Sequence, residues 1–525
     1  MVWHRKPNPA PPEGEHMKLI RYACLPAMVA LALAFAGCGD DGKKDAENKQ
    51  KVENALAKLP GSRNATVAVK GDTLTITNFK AEIPYAGMGT NVITVDELKA
   101  EGVDFDAATK AGVVPVAKKV IFKNYRSTMD MKDAGLGGAG SVSGTVVGME
   151  FANLQLDAAA MDKALAKDAP TKDLVAALLT FKGDSSSMQN YRADVNMGFV
   201  SGSFAMDKAS SGAFSMMSCK DLVAENFKLV FLGSEMFSMG KLSIKNFSMP
   251  DVFTPFMNHY DPKAVQTGEP FTPSEGYEKD LADALKKNPI LLQGIVMENV
   301  QVRPMTNEPL AAKKITMDIE FTQDRIIFKK EVDSLVIPPS VYGKGFEGKA
   351  LATAYGKPFD LSGAVDFEAV KEGDGGRIAL KTLRISDKNL GDLDFALKGG
   401  FAAGDKDVPA VPENPDDMKM NELSLTLKDR GAIDLAFALN AEEAKTYDPK
   451  ATKESIRDEM IQELSATGAE GSAQRKVAVA FADFLKNSGT FTLKMAPTTP
   501  VTFDALGEIM NGSGEALNLT VSATK

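Results

Sequence analysis

Six segments of the chain share one pattern of apolar residues around an asparagine, and that pattern restricts the backbone more than any other feature. They are LTITNFKA (74–81), VIFKNYRS (120–127), MEFANLQL (149–156), LVAENFKL (222–229), LSIKNFSM (242–249) and IVMENVQV (295–302). With the asparagine as zero, positions −4, −2, +1 and +3 are apolar throughout, Ser127 excepted. Side chains on a strand change faces at every residue, so an unbroken strand would send −4 and −2 to one face and +1 and +3 to the other. One extra residue at the asparagine restores a common face. A β-bulge or β-arc supplies it, and asparagine tolerates the left-handed backbone this needs. Each unit is therefore expected to be a bent strand keeping one apolar face inward. A seventh, degenerate copy has Ile378, Leu380, Leu383 and Ile385 around Thr382. The asparagines fall at 78, 124, 153, 226, 246 and 299, too irregular for a fixed-period solenoid.

Other stretches alternate without a skip. Ile315, Met317, Ile319 and Phe321 share a face, and Leu423, Leu425 and Leu427 followed by Ile433, Leu435, Phe437 and Leu439 predict a hairpin turning at Asp429-Arg430-Gly431. Helices are predicted at 46–58, with Val52, Ala55, Leu56 and Leu59 on one face, and as interruptions at 94–101, 157–182 (broken at Pro170) and 276–287. Residues 405–418, rich in Pro and Asp, predict a linker. After it come helices at 452–465 and 472–486, a strand at 490–497, a helix from Pro500 to Met510 and a last strand. The expected fold is a β-rich α+β chain: a long bent antiparallel sheet of repeated strand units over 59–404, then a smaller C-terminal α/β module over 419–525.

The residue inventory speaks against most chemistries. From Cys38 onward there are 57 basic and 68 acidic residues, a balance of −11, which lacks the basic face that nucleic acid requires. Of three histidines, His4 and His16 lie near the start, leaving His259 in FTPFMNHYDP beside Tyr260 and Asp261, too little for a triad or a multi-histidine metal site. Gly135, Gly137 and Gly140 match G-x-G-x-x-G, but the residues that follow look like strand rather than the helix a dinucleotide site needs. No calcium loop is present, Asp416 and Asp417 read as linker charge, and near misses such as SGSFA do not form a nucleophile elbow. Catalytic, metal and cofactor-binding residues are accordingly expected to be none. Cys219 reads as a buried small side chain. The 25 methionines, Met206, Met216, Met217, Met236, Met239 and Met249 among them, fit core packing, with an adaptable apolar groove as the alternative.

Residues 17–38, MKLIRYACLPAMVALALAFAGC, have a basic start at Lys18 and Arg21, an apolar stretch from Cys24 to Ala36, and small residues before Cys38. The stretch is short for a membrane span. The segment resembles the bacterial lipobox, with Phe35 where leucine is usual. That resemblance implies a signal peptide over 17–37, cleavage before Cys38, lipidation of Cys38 and a membrane partner engaged through its acyl chains, two or three of which give stable attachment. Residues 1–16 then read as a non-native extension and 38–58 as a tether with a short helix. Gly39 after the cysteine, by resemblance to enteric sorting rules, favours the outer membrane.

The run LSLTLKDRGAIDLAFAL with GTFTLKMAPTTPVTF, together with units such as LSIKNFSM, is similar to periplasmic proteins of the YdgA and AsmA-like groups. The resemblance implies a sheet curved into a groove and an envelope role in lipid handling; it carries over no functional residue. The expected function is a non-catalytic, lipid-anchored envelope protein binding lipid or another apolar ligand in a β-groove. The alternative is a structural or assembly lipoprotein that contacts other envelope proteins.

Overall fold

The computed structural model describes residues 44–57, 65–85, 89–131, 140–164, 171–197, 200–251, 276–287, 289–303, 308–322, 324–342, 346–373, 375–402, 418–445 and 447–525, with 254, 255 and 259. Residues 1–37, Cys38, Gly135, Gly137 and most of 405–418 lie outside them. The described chain is β-rich, with long sheets and helices concentrated toward the C-terminus. It separates into two compact units, Met1–Asn288 and Pro289–Lys525.

In the first unit, helix α1 (Lys44–Ala57) precedes β1 (Thr66–Lys70), β2 (Thr73–Tyr85), β3 (Gly89–Glu101), β4 (Val113–Met131) and β5 (Gly140–Asp157). Helices α2 (Ala158–Ala164) and α3 (Thr171–Leu179) follow. Then come β6 (Lys182–Gly183), β7 (Ser185–Met197), β8 (Val200–Ser211), β9 (Phe214–Ser215), β10 (Ser218–Phe231), β11 (Ser234–Ser248) and α4 (Tyr277–Lys287). The strands pair antiparallel in the order β1, β2, β3, β4, β5, β7, β8, β10, β11. The short β6 and β9 bridge β5 and β10. The turn between β10 and β11 is Leu232-Gly233, both at positive φ (48° and 76°), the two-residue geometry that matches strand twist.

The asparagine pattern has a definite structural basis. Asn78, Asn124, Asn153, Asn226 and Asn299 all sit in the left-handed region, at φ 49–57°. In β2 the four flanking positions, Leu74, Ile76, Phe79 and Ala81, are all buried, each large side chain contributing about 1.5–3 kcal/mol by leaving water. Of the two expected devices, a bulge or an arc, a one-sided bulge is not the one used here. Thr77 pairs with Glu97 and Phe79 with Val95, so Asn78 stands opposite Asp96 and the register does not slip. Both strands insert a residue at the same place, and Ile93, Val95, Leu98 and Ala100 are buried on β3 as well. Continued across the ladders, this line runs Asn78, Asp96, Asn124, Val147, Asn190, Asp207, Asn226, Gly240. Left-handed asparagines occupy alternate strands, Asn190 (φ 51°) included. Amides and carboxylates bond along it: Asn124 Nδ2 donates to Asp96 Oδ2 at 2.9 Å and Asn226 Nδ2 to Asp207 Oδ2 at 2.8 Å. Asn246 differs. It pairs with Lys220 in ordinary strand geometry, and the left-handed residue is Asp221 on the neighbouring β10 (φ 49°). Ser127, the exception to the apolar rule, donates its hydroxyl to Asn91 Oδ1.

The core of this unit lies at its β1–β5 end. There α1 (Val52, Leu56), the 103–107 turn (Val103, Phe105) and the α2–α3 segment (Met161, Leu178, Phe181) cover the inward side chains. The predicted helix at 94–101 is instead part of β3. VDELKAE is composed of residues acceptable in a helix, but pairing on both sides by β2 and β4 overrides that preference. The predicted 157–182 helix appears as α2 and α3, with Pro170 outside the described residues.

In the second unit, β12 (Ile290–Val302), β13 (Leu310–Phe321), β14 (Arg325–Ile337), α5 (Phe346–Ala354), β15 (Phe359–Glu372), β16 (Gly375–Asp387), β17 (Gly391–Ala402) and β18 (Lys419–Asp429) form an antiparallel meander. After it come α6 (Ala432–Ala444), α7 (Lys453–Ala466), α8 (Ala473–Asn487), β19 (Thr490–Met495), β20 (Val501–Thr502), α9 (Phe503–Asn511) and β21 (Thr520–Thr524). β19 and β20 both join β18, and β21 joins β19. β17 and β18, on either side of the expected 405–418 linker, are neighbours in one sheet.

The predicted hairpin at 423–439 is corrected: its second half is helix α6. Asp429 Oδ1 accepts the N–H groups of Gly431 and Ile433 and caps the helix start, and Ile433, Phe437 and Ala441 are buried at helical spacing. The degenerate seventh repeat does contain a true bulge. Asp366 pairs with Thr382 and Phe367 with Leu380, leaving Lys381 as the additional residue on β16. Ile433, Phe437, Phe484, Leu485, Phe491 and Leu517 center the core of this unit under α6–α9.

Candidate functional site: the open apolar face of the second sheet

Strand pairing in the second unit assigns every side chain to one of two unlike faces. The first is charged and laced with cross-strand ion pairs. Lys329 lies 3.5 Å from Asp366, Arg384 2.7 Å from Asp394 and Lys398 2.6 Å from Glu422, each pair directly opposite in register. The bulge aims Lys381 at Glu368, at 2.7 Å, and Arg325 donates to the same carboxylate at 3.0 Å. Lys381, then Arg325, hold the Glu368 carboxyl below its ordinary range. Arg430, with help from Ser386, does the same for Asp392.

The second face is apolar across the sheet but for Lys330. One row runs Leu292, Ile319, Phe328, Phe367, Leu380, Leu397, Leu423, Met495; the next carries Lys330 between Met317 and Val365, and the one beyond it runs Met297, Ile315, Val332, Gly363, Ile385, Leu393, Leu427, Phe491. The two ends of these rows differ. At the far end Leu397, Leu423, Leu427, Phe491 and Met495 belong to the core beneath the C-terminal helices. On β13, β14 and β16 they are only half-buried, and Ile385 is 49% exposed. Near the strand ends, Tyr342 and Tyr355 pack on Phe359 with ring centroids 5.2 and 4.9 Å away. A contiguous apolar surface left partly exposed on a folded unit is a candidate binding surface.

The first unit repeats the arrangement on a smaller scale. Beyond the helix-covered core, the apolar row beside the asparagine line continues through Tyr191, Met206, Phe227 and Met239. Tyr191, Phe204 and Phe227 stack edge-on at 5.6 and 5.3 Å. Met206 and Met239 are buried there, while Met216, Leu229 and Met249 are exposed. The methionines thus divide between packing and surface.

The remaining sequence candidates are placed as follows. Cys38 lies outside the described residues. His259 Nε2 is 2.9 Å from Asp280 Oδ2 and its ring meets Tyr277 edge-on, while Tyr260 and Asp261 lie outside the described residues. Beside Asp280, a shallow depression of about 380 Å³ is lined by Asp251, Asp283 and Lys287. Among the described residues no group of three or more histidine, cysteine or acidic side chains converges as a metal site. Cys219 is partly buried, and burial raises its thiol pKa above the ordinary value. Gly140 opens strand β5, so a strand follows the glycine run. Among the described residues no helix is long and apolar enough to cross a membrane.

The open face was only partly legible beforehand. The alternation at 315–321 was visible, but which strands go uncovered depends on where distant helices pack. Residues 384–524 match a family described as an uncharacterized protein. The match takes in the helix-covered end of the second sheet and leaves out β12–β15. No curated protein matches the chain.

Proposed function

We propose that this is a non-catalytic, lipid-anchored envelope protein whose sheets hold an apolar ligand, lipid or another amphiphile, on their open faces. The carrying observation is the apolar surface over β13–β16, partly exposed on a sheet whose other face carries cross-strand ion pairs. A chain tethered through Cys38, on the periplasmic face of the outer membrane, would hold that surface within reach of lipid. Native mass spectrometry of protein isolated from its own host tests this reading. Bound lipid is expected, with transfer between labelled vesicles; absence of both would overturn it.

A structural or assembly role is favoured by a different feature. β21 pairs only with β19 among the described residues, and a shallow groove beside it is lined by Val479, Ala480 and Val521. Such an edge accepts an extended strand from another protein. Recovery of one defined partner by crosslinking in cells, with no bound lipid, would select this role.

A further inference from the structure

We propose that the ligand of the second sheet carries a negative charge, and that Lys330 holds it. The inference rests on the apolar-ligand reading above and goes on to name the chemical class. Lys330 lies on β14 between Phe328 and Val332, two residues either side and on the same face. Across the ladders it meets Met317 and Val365. Neither its own row nor the two flanking rows contain another charged side chain from β12 to β18.

The contrast with the opposite face supplies the chemistry. There Lys329, the adjacent residue, has Asp366 across from it, and Arg384 and Lys398 have Asp394 and Glu422. Lys330 is exposed and has no acidic or hydrogen-bonding partner among the described residues. A cation amid apolar neighbours forgoes the burial an aliphatic residue would contribute, and nothing in the sheet compensates it. A lysine at such a position can lay its methylenes along apolar neighbours while its ammonium reaches solvent. An acyl chain laid across the strands along the Phe328 row or the Val332 row, and ending at β14, has its head beside that ammonium. One fixed positive charge suits one negative charge, a carboxylate or a phosphodiester, and gives no advantage to a zwitterionic head.

The test measures equilibrium binding of palmitate, palmitoyl lysophosphatidylglycerol and palmitoyl lysophosphatidylcholine to the full chain, below their micellar concentrations. The wild-type protein is expected to prefer the two anionic probes about tenfold, the size of a charge-assisted hydrogen bond at a half-desolvated site. K330Q should bring both down to the level of the choline lipid, whose binding stays unchanged, and K330R should keep the preference. If only one anion is preferred, and K330Q abolishes that preference, the proposal stands and the source of the charge is identified. Retention of the preference in K330Q, or its absence in the wild type, overturns the proposal while leaving the apolar-ligand reading intact. Failure of all three probes to bind overturns both.

Discussion

Asn124 on β4 donates its side-chain amide to Asp96 on β3 at 2.9 Å, at the one place where both strands lose their alternation. The bond and the left-handed backbone of Asn124 (φ 53°) are two parts of one device. Because each strand inserts a residue opposite the other's, the sheet keeps its register while its apolar face carries on unbroken. A short polar side chain is suited to this position, since it lowers the cost of the left-handed conformation and bonds locally.

Replacing Asn124 by valine should therefore lower stability by roughly 1–2 kcal/mol, the cost of forcing a β-branched residue into that region. Glycine at 124 should cost less than valine, because only the hydrogen bond is lost. Asn246, in ordinary strand geometry, provides the comparison: N246V should cost less than N124V, because no left-handed backbone is forced on valine there. Urea unfolding of the three variants checks the order. Equal losses for N124V and N246V would show that the backbone argument is mistaken.

Asp429 caps α6 by accepting from Gly431 and Ile433. D429A is expected to cost about 1 kcal/mol, with lowered helical signal in the second unit. Unchanged stability and helical signal in D429A would show that the Asp429 bonds do not hold the start of α6.

The Glu368 cluster predicts an acid-sensitive contribution. Its carboxyl titrates below the ordinary value of 4.5, first because of Lys381 and then Arg325. A depressed folded-state pKa gives stability that is complete above the unfolded value and is lost as pH falls through the folded one. Unfolding midpoints should thus fall as pH drops below about 4.5, and less steeply in E368Q. A parallel pH profile for the two proteins would contradict this.

Truncations should separate the covered from the open end of the second sheet. Phe491→Ala, in the core beneath the helices, should cost about 3–5 kcal/mol. Phe328→Ala, on the half-exposed stretch, should cost less than about 2 kcal/mol. Calorimetric melting points distinguish them, and equal costs would mean that β14 is as well covered as β19.

Much of this was legible locally and little of it at long range. The spacing around Asn78, Asn124, Asn153, Asn226 and Asn299 announced a skip, because face alternation is a strictly local rule. Asn190 escaped notice because Ser186 stands where an apolar residue is usual, and its role shows only when β7 is set between β5 and β8. Ile433 and Phe437 satisfy both a two-residue and a helical period, so only the Asp429 cap and tertiary packing decide between them. Lys330 is one of two adjacent lysines in FKKE. Only pairing with Met317 and Val365 shows that it, and not Lys329, lies among apolar side chains.

Photo-crosslinking with a diazirine-labelled fatty acid, followed by peptide mapping, tests the central claim most directly. Adducts should concentrate on the apolar-face positions of β13–β16, on Ile315, Met317, Phe328 and Leu380 and their row neighbours, and be competed away by unlabelled ligand. Adducts on the ion-paired face, around Lys329 and Arg384, or a scatter insensitive to competitor, would contradict the assignment of that face as a binding surface.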